Sequence, residues 1–294
     1  MTPPLTTPVV TPPMPFSLDH SSLILSLGSC FADEIGRRLL DGGFCVELNP
    51  FGTLYNPASI ASALDRLLTD TPIAASDLVQ HESLWHSWHH HGSFSRPTAE
   101  ACLAACNERL HQAHLALQQA TLLTLTFGTA WVFSLREETS PRSSRVVANC
   151  HKLPASHFER WRLDTEDICD LWLPLLQRLH DFNPKLKVLF TVSPIRHLAD
   201  GAHGNQLSKA TLLLAVEKLC TAHPTLCTYF PAYEIVLDEL RDYRFFAPDM
   251  THPSSLAADI VYSRFQQSCL SPALIQQAHL AAKAHRREQH RPLH

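Results

Sequence analysis

Two stretches of this chain carry the residue types of acyl-transfer chemistry. The first is LILSLGSCFADEIGRRLL, Leu23 to Leu40, where an apolar run meets Gly28-Ser29-Cys30 and a helical pattern follows. A serine at such a junction sits at a helix N-terminus. Backbone N–H groups point toward it and the helix dipole favours developing negative charge. Those conditions suit a nucleophile and one wall of an oxyanion hole. Serine is also a favoured N-cap, and on this stretch alone the cap is the stronger reading. A nucleophile needs a base, and RDYRFFAPDMTHPSSLAADIV (241–261) offers one. Asp249 and His252 stand three residues apart, just before a helix that Pro253 is placed to start. A carboxylate beside an imidazole fixes its tautomer, orients the ring and stabilises the imidazolium. The competing reading is an Asp and a His that cap the helix or meet solvent. Position favours the dyad: a Gly-Ser after the first strand and a DxxH before the last helix can meet over one edge of a doubly wound sheet.

Other constellations compete for a role. Cys30 follows Ser29 directly, and a thiolate at a helix N-terminus has a lowered pKa and good nucleophilicity. A Cys-His enzyme using the same base is therefore a rival, although a buried structural cysteine is the favoured reading. SLWHSWHHHGSF (83–94) holds His86, His89, His90 and His91 beside Trp85 and Trp88. Imidazole is a common zinc ligand, but adjacent histidines on a strand point to opposite faces. A hairpin or loop near the pocket, with aromatic faces that could stack on a ligand such as a sugar, is expected instead of a metal site, and a plain structural loop is the other reading. TVSPIRH (191–197) ends an apolar run at the same sheet edge, where Arg196 or His197 could meet a polar or anionic group; equally, Arg196 could pair with an acid of DELRDYRF (238–245). The charged segment DELRDYRF (238–245) reads as a buried ionic network, because charges withdrawn from water need partners. NCHK contributes His151 and Lys152 as pocket candidates.

These residues need a scaffold, and the pattern supplies one. Apolar runs at 22–28, 44–48, 122–128, 186–194 and 226–230 alternate with helical patterns at 31–41, 57–68, 100–120, 165–182, 206–222 and 253–270. Strands of this kind separated by helices argue for a parallel sheet covered on both faces. The expected architecture is α/β: a three-layer α/β/α domain over 21–270 with insertions at 70–100 and 130–165. A Pro/Thr-rich arm (1–20) precedes it and a helical tail (271–294) follows. The 294 residues, 45% hydrophobic and 18% charged, are enough for a sizeable core. With 24 Lys+Arg against 28 Asp+Glu, the charge balance gives no sign of a nucleic-acid partner. No apolar run reaches spanning length and no signal-peptide pattern opens the chain. Nine cysteines without a CxxC pair suit reduced thiols. A cytoplasmic location and no membrane partner are the expectations.

GSCFA at 28–32 resembles the signature of the GSCFA family, itself similar to the SGNH (GDSL-like) hydrolases. NPFGTLYNP (49–57), TFGTAWVF (126–133), NCHKLP (149–154), TVSPIRH (191–197), YFPAYEI (229–235), DELRDYRF (238–245) and DMTHPS (249–254) resemble the family's blocks, in order, across about 28 to 265. The resemblance implies a central, mostly parallel, flavodoxin-like sheet. It implies Ser29 as nucleophile, with Asp249 and His252 as the Asp-x-x-His block. Gly52 is the implied oxyanion N–H. The asparagine of the Gly-x-Asn-Asp block is absent, since Gly128-Thr129-Ala130-Trp131 stands in its place. Thr129 or Asn149 is the implied substitute, and His151 and Arg196 are candidate substrate contacts. The activity implied is hydrolysis of a small O-acyl ester, O-acetyl on a carbohydrate being the favoured class, without metal or cofactor. The alternatives are an acyltransferase using the same residues, a carbohydrate- or acyl-binding module without catalysis, and a metal-dependent hydrolase built on the histidine cluster. Oligomeric state stays open. If the triad is assembled, Ser29 Oγ should approach His252 Nε2, allowing for a loose unliganded site.

Overall fold

A computed structural model describes residues 6–136, 142 and 144–289. In chain order the elements are β1 (Leu23–Gly28), α1 (Cys30–Asp41), β2 (Cys45–Leu48), α2 (Pro57–Thr69), β3 (Leu78–His81) and β4 (Leu84–Ser87). Then come α3 (Ala99–Gln119), β5 (Leu122–Phe127), β6 (Trp131–Leu135), β7 (Val146–Val147), β8 (Phe158–Arg162) and α4 (Thr165–Phe182). The last are β9 (Lys187–Val192), α5 (Gly201–Ala222), β10 (Cys227–Tyr229), the single turn α6 (Ala232–Glu234), α7 (Ser255–Cys269) and α8 (Pro272–Gln289).

Five strands form one parallel sheet in the order β10-β9-β5-β1-β2. Taking only these strands in chain order, the arrangement is 2-1-3-4-5, the flavodoxin-like winding. The order reverses between β1 and β5, where such sheets open a crevice at their carboxyl ends. Side-chain alternation explains the two covered faces. Leu25, Leu27, Leu123, Leu125, Phe127, Val188 and Phe190 point into a core shared with α2, α3, α4 and α5. Ile24, Leu122 and Leu189 point to the other side, against α1, α7 and α8. The first core is anchored by Trp172, Phe127 and Phe190, whose rings meet edge-on or tilted at 5.1–5.5 Å. The buried indole N–H of Trp172 donates to the Pro57 carbonyl at 3.2 Å, tying α4 to the start of α2. That bond matters because an unpaired buried donor costs about 1–3 kcal/mol.

The two insertions form small antiparallel sheets, the hairpin β3–β4 and the three-stranded β7-β6-β8. Element ends differ from the sequence reading in two instructive places. The helix expected over 253–270 begins at Ser255, because the Ser254 hydroxyl accepts from Ala257 N–H as its cap. Pro253 instead lies just outside, bridged to Phe246 in extended backbone. Helix α5 starts at Gly201, about a turn earlier than its apolar stripe indicates. Met14 and Leu18 of the N-terminal arm are buried, and their N–H groups donate to the carbonyls at the end of α7, Ser268 and Cys269. Residues 1–5, and Arg291 within 290–294, lie outside the described residues. Among the described residues no helix is long and apolar enough to cross a membrane.

Candidate active site

The β1–α1 junction is held by close approach. Gly28 has φ +152°, and a Cβ there would stand 2.5 Å from the Thr126 carbonyl of the neighbouring strand, so only glycine fits. Its N–H donates to Asn49 Oδ1 at 2.9 Å, and the same amide reaches Asp33 through Nδ2 at 2.7 Å. Ser29 follows as the N-cap of α1, its Oγ accepting from Phe31 N–H at 3.3 Å. The serine therefore caps α1 at the position where the sequence reading expects a nucleophile. The side chain is 1% exposed yet lines a cavity of about 550 Å³ at the β1/β5 switch point.

The same cavity is lined by His252. Its loop is shaped by backbone bonds: Ala247 N–H donates to the His252 carbonyl at 2.8 Å and Arg196 N–H to Thr251 at 3.1 Å. His252 Nδ1 lies 2.6 Å from Asp249 Oδ2. Asp249 Oδ1 also accepts from the N–H groups of Thr251 and His252, at 2.9 and 3.0 Å. These backbone donors, with the imidazole, hold the carboxyl far below the usual carboxylate range. It is an anion at neutral pH, and the hydrogen-bonded imidazole turns Nε2 outward. No hydrogen bond joins Ser29 to His252 in this unliganded arrangement. The two meet only through the cavity they share.

The other candidates separate cleanly. Thr129, Asn149 and Arg196 line the cavity. The Asn149 side-chain Oδ1 accepts from the His151 backbone N–H at 2.7 Å, and its Nδ2 has no partner among the described residues. Thr129 Oγ1 accepts from Trp131 N–H at 3.1 Å and faces Ser208 Oγ at the same distance. Arg196 forms no ion pair among the described residues, including none with the acidic segment 238–245. Gly52 and His151 are not in the cavity lining. The Gly52 N–H donates to the Asn49 carbonyl at 2.7 Å, closing a turn. Glycine is required there by packing, since φ is +74° and a Cβ would meet His91 Cβ at 2.4 Å. His151 is buried, with Nε2 2.8 Å from the Ser87 carbonyl and its ring stacked on His86.

Two further expectations are corrected. The histidine stretch does form a hairpin, but its rings face protein. His89 meets Arg66 and Asp77, His90 meets Ser87, and His86 meets Ser95. None of them lines the cavity, so no ligand-stacking face is presented there. The segment 238–245 is not a buried network: Asp238–Arg241 and Asp242–Arg244 are exposed neighbours in sequence. The half-buried exception is Glu239, which pairs with Arg264 at 2.6 Å. Cys30 lines the cavity beside Ser29, and burial pushes its thiol above its ordinary pKa. That suppresses the thiolate a cysteine nucleophile requires.

The family model of the GSCFA family matches residues 23–265. The chain belongs to the GSCFA family. No curated protein matches it significantly. Solved structures to which this GSCFA protein is similar include a protein described as a GDSL-like lipase from Parabacteroides merdae, at 11% identity and TM-score 0.43, over 86% of this chain and 97% of that one. A carbohydrate esterase of family 3 from Talaromyces cellulolyticus aligns at 11% identity and TM-score 0.36, over 88% and 98%. An acetyl xylan esterase from Butyrivibrio proteoclasticus aligns at 11% and 0.36, over 85% and 64%.

Some cavity residues escaped the sequence reading. Tyr55 accepts at its carbonyl from Gly128 and Thr129 N–H, at 2.8 and 2.9 Å, and so pins the loop after β5. Asn56 caps α2 through Oδ1 and borders the cavity; its position just before Pro57 was the available signal. Arg160 of β8 lies 4.3 Å over the Trp131 ring and pairs with Asp200, joining the inserted sheet to the loop after β9. That wall is assembled from four segments, and no local motif announces it.

Proposed function

We propose that this GSCFA protein is a serine ester hydrolase with Ser29 as nucleophile, His252 as general base and Asp249 as the group that orients His252. The observation that carries the reading is the shared cavity. A helix-capping serine at the β1/β5 switch point and a carboxylate-bound imidazole from the far end of the chain line one space. Ser29 Oγ attacks the ester carbonyl while His252 Nε2 takes its proton and passes it to the leaving alcohol. Water, activated by the same imidazole, then releases the acyl group from Ser29. The Ser29 N–H, with the Asn149 amide or the Thr129 hydroxyl, faces the developing oxyanion. The Ser29 N–H bond to the Thr126 carbonyl is long, 3.4 Å, and weak enough to give way. The steps use this chain's side chains and water. A small O-acyl ester, with O-acetyl carbohydrate as the favoured class, fits a cavity of this volume and mixed lining. Acyl transfer to a second alcohol would use the same residues.

A second reading, a binding module for a carbohydrate or acyl group, draws on the burial of Ser29 and the lack of a Ser29–His252 hydrogen bond. Fluorophosphonate labelling with peptide mass spectrometry separates the two. The hydrolase predicts a phosphonylated Ser29 peptide in the wild type, absent in Ser29→Ala and slowed at least a thousandfold in His252→Ala. A folded wild type that takes no label favours the binding module.

A further inference from the structure

Gly128 marks the point where Ser29 and His197 come together and where hydrogen-bond donors for an oxyanion are few. A methyl group placed on Gly128 would lie 3.0 Å from the Tyr55 carbonyl oxygen, 3.4 Å from Ser29 Cβ and 3.6 Å from His197 Nε2, so the bare glycine lets these three groups converge. That position is bracketed by the nucleophile's own side chain and an imidazole nitrogen. Ser29 and His197 also line the same cavity, from which an acyl carbonyl would approach the nucleophile. Donors, however, are scarce. The N–H groups of Gly128 and Thr129 are both spent on the Tyr55 carbonyl, and that of Gly52 on Asn49. The Thr129 hydroxyl is engaged with Trp131 N–H and Ser208.

His197 Nε2 is buried and has no hydrogen-bond partner among the described residues. Such an orphan in a folded protein asks for a ligand or a role. The residue is fixed from behind: its N–H donates at 2.9 Å to Oδ1 of the buried Asn205, and its ring stands edge-on to Tyr55 at 6.3 Å. Lys209, 1% exposed, donates to the carbonyls of Gly128 and Ser193 at 2.5 and 2.7 Å. This one amine, its pKa lowered by burial to about 7, thereby ties the loop holding Gly128 to the strand end that leads to His197. Burial first, and the Lys209 charge second, lower the His197 pKa to about 4. The ring is neutral at working pH, and a neutral imidazole can polarise a carbonyl by donating one N–H.

We infer that His197, through Nε2–H, is an oxyanion-hole donor of this site, filling the role for which the loop after β5 carries no asparagine. This rests on the reading of Ser29 as nucleophile. The donor forms its bond to the oxyanion as the tetrahedral adduct develops, and no proton changes owner at His197. The role belongs to a catalytic residue that does not act as base, and that distinction is testable.

The experiment measures the second-order rate constant of fluorophosphonate labelling at Ser29, for wild type, His197→Ala, His197→Gln and Asn149→Ala, with thermal melts on each. His197→Ala should slow labelling on the order of a hundredfold. His197→Gln, which keeps an N–H donor but cannot accept a proton as a base, should recover to within about tenfold of wild type, its melt matching that of His197→Ala. A His197→Ala rate within twofold of wild type overturns the inference and leaves the Ser29 reading intact. A His197→Gln as slow as His197→Ala, both folded, overturns the donor role in favour of a base. A loss confined to Asn149→Ala moves the donor to that amide. Absence of label on the folded wild type removes the Ser29 reading and this inference with it.

Discussion

Histidine is used in two opposed ways in this chain, in the loop 249–252 and in the hairpin around 86–91. His252 is 47% exposed at its side chain and hydrogen-bonded to a carboxylate that is an anion throughout the physiological range. His90 is fully buried, stacked at 4.6 Å on Phe51 and held by Ser87. Burial lowers His90 to about 3 and His151 to about 4, so both stay neutral. The first environment leaves the imidazole half-exposed at a cavity with one nitrogen held by an anion, the arrangement the proposed base requires. The second turns the ring into a packing unit with a polar edge. A cluster of histidines is therefore a weak guide to chemistry, and one histidine beside a well-bonded aspartate is a strong one.

The largest expected effect follows from the first environment. Asp249→Asn leaves the loop shape close to intact but removes the anion that fixes the His252 tautomer. Ser29 labelling should fall about a thousandfold or more, by the logic of a misoriented base. The melting temperature should move little, because the pair is exposed. A labelling rate within a few-fold of wild type would erase the contrast by showing that the 249–252 loop is also merely structural.

How much of this was readable beforehand follows the same division. The Asp249–His252 pair was legible because both groups lie within four residues and a single turn satisfies their geometry. The sheet was legible because its strands are continuous apolar runs, which two covered faces demand. The hairpin histidines were half-legible: adjacency gave the turn, but burial depends on Phe51, Phe94 and His151, which are far away in sequence. Gly52 misled for a related reason. A glycine in a family block signals a backbone constraint, and only the position of His91 shows that the constraint is packing. The charges of 238–245 misled because composition is blind to which side of a loop faces water. Lys209 was hardest, since a single lysine in the apolar stripe of α5 gives no hint of the two carbonyls waiting for it; His197 was placed at the pocket edge, but its orphaned nitrogen is a property of the fold alone.

The hairpin supplies the next effect, in stability. His90→Leu loses the Ser87 hydrogen bond and leaves that hydroxyl short of a partner. Unfolding at pH 7 should become easier by about 1–3 kcal/mol, a fall of several degrees in Tm. Ser29 labelling should stay within a few-fold. The pH dependence has a definite sign. His90 is near 3 when folded and about 6.5 when unfolded, so the unfolded chain binds the extra proton. Its contribution is fully present above about pH 6.5 and is lost as pH falls toward 3, with a slope approaching 1.4 kcal/mol per pH unit. In His90→Leu that component vanishes, and unfolding free energy measured by denaturant titration from pH 7 to 4.5 should flatten by up to that slope. An unchanged slope would mean that His90 is already protonated when folded, and the contrast with His252 would collapse.

Cys30 is the smallest test and the most discriminating, because it lines the cavity yet is half-buried, and that burial pushes its thiol toward the neutral form as it does the hairpin histidines. If environment decides role more than location does, its thiol should alkylate slowly with iodoacetamide at pH 7.5, more slowly than the exposed Cys45, in line with the upward push of burial on its pKa. Cys30→Ala should change Ser29 labelling by no more than about threefold, a packing effect at the first residue of α1. Rapid alkylation of Cys30 that also blocks Ser29 labelling would show a thiolate in the cavity. Burial would then have failed to silence it, and the nucleophile would be one residue further along the chain.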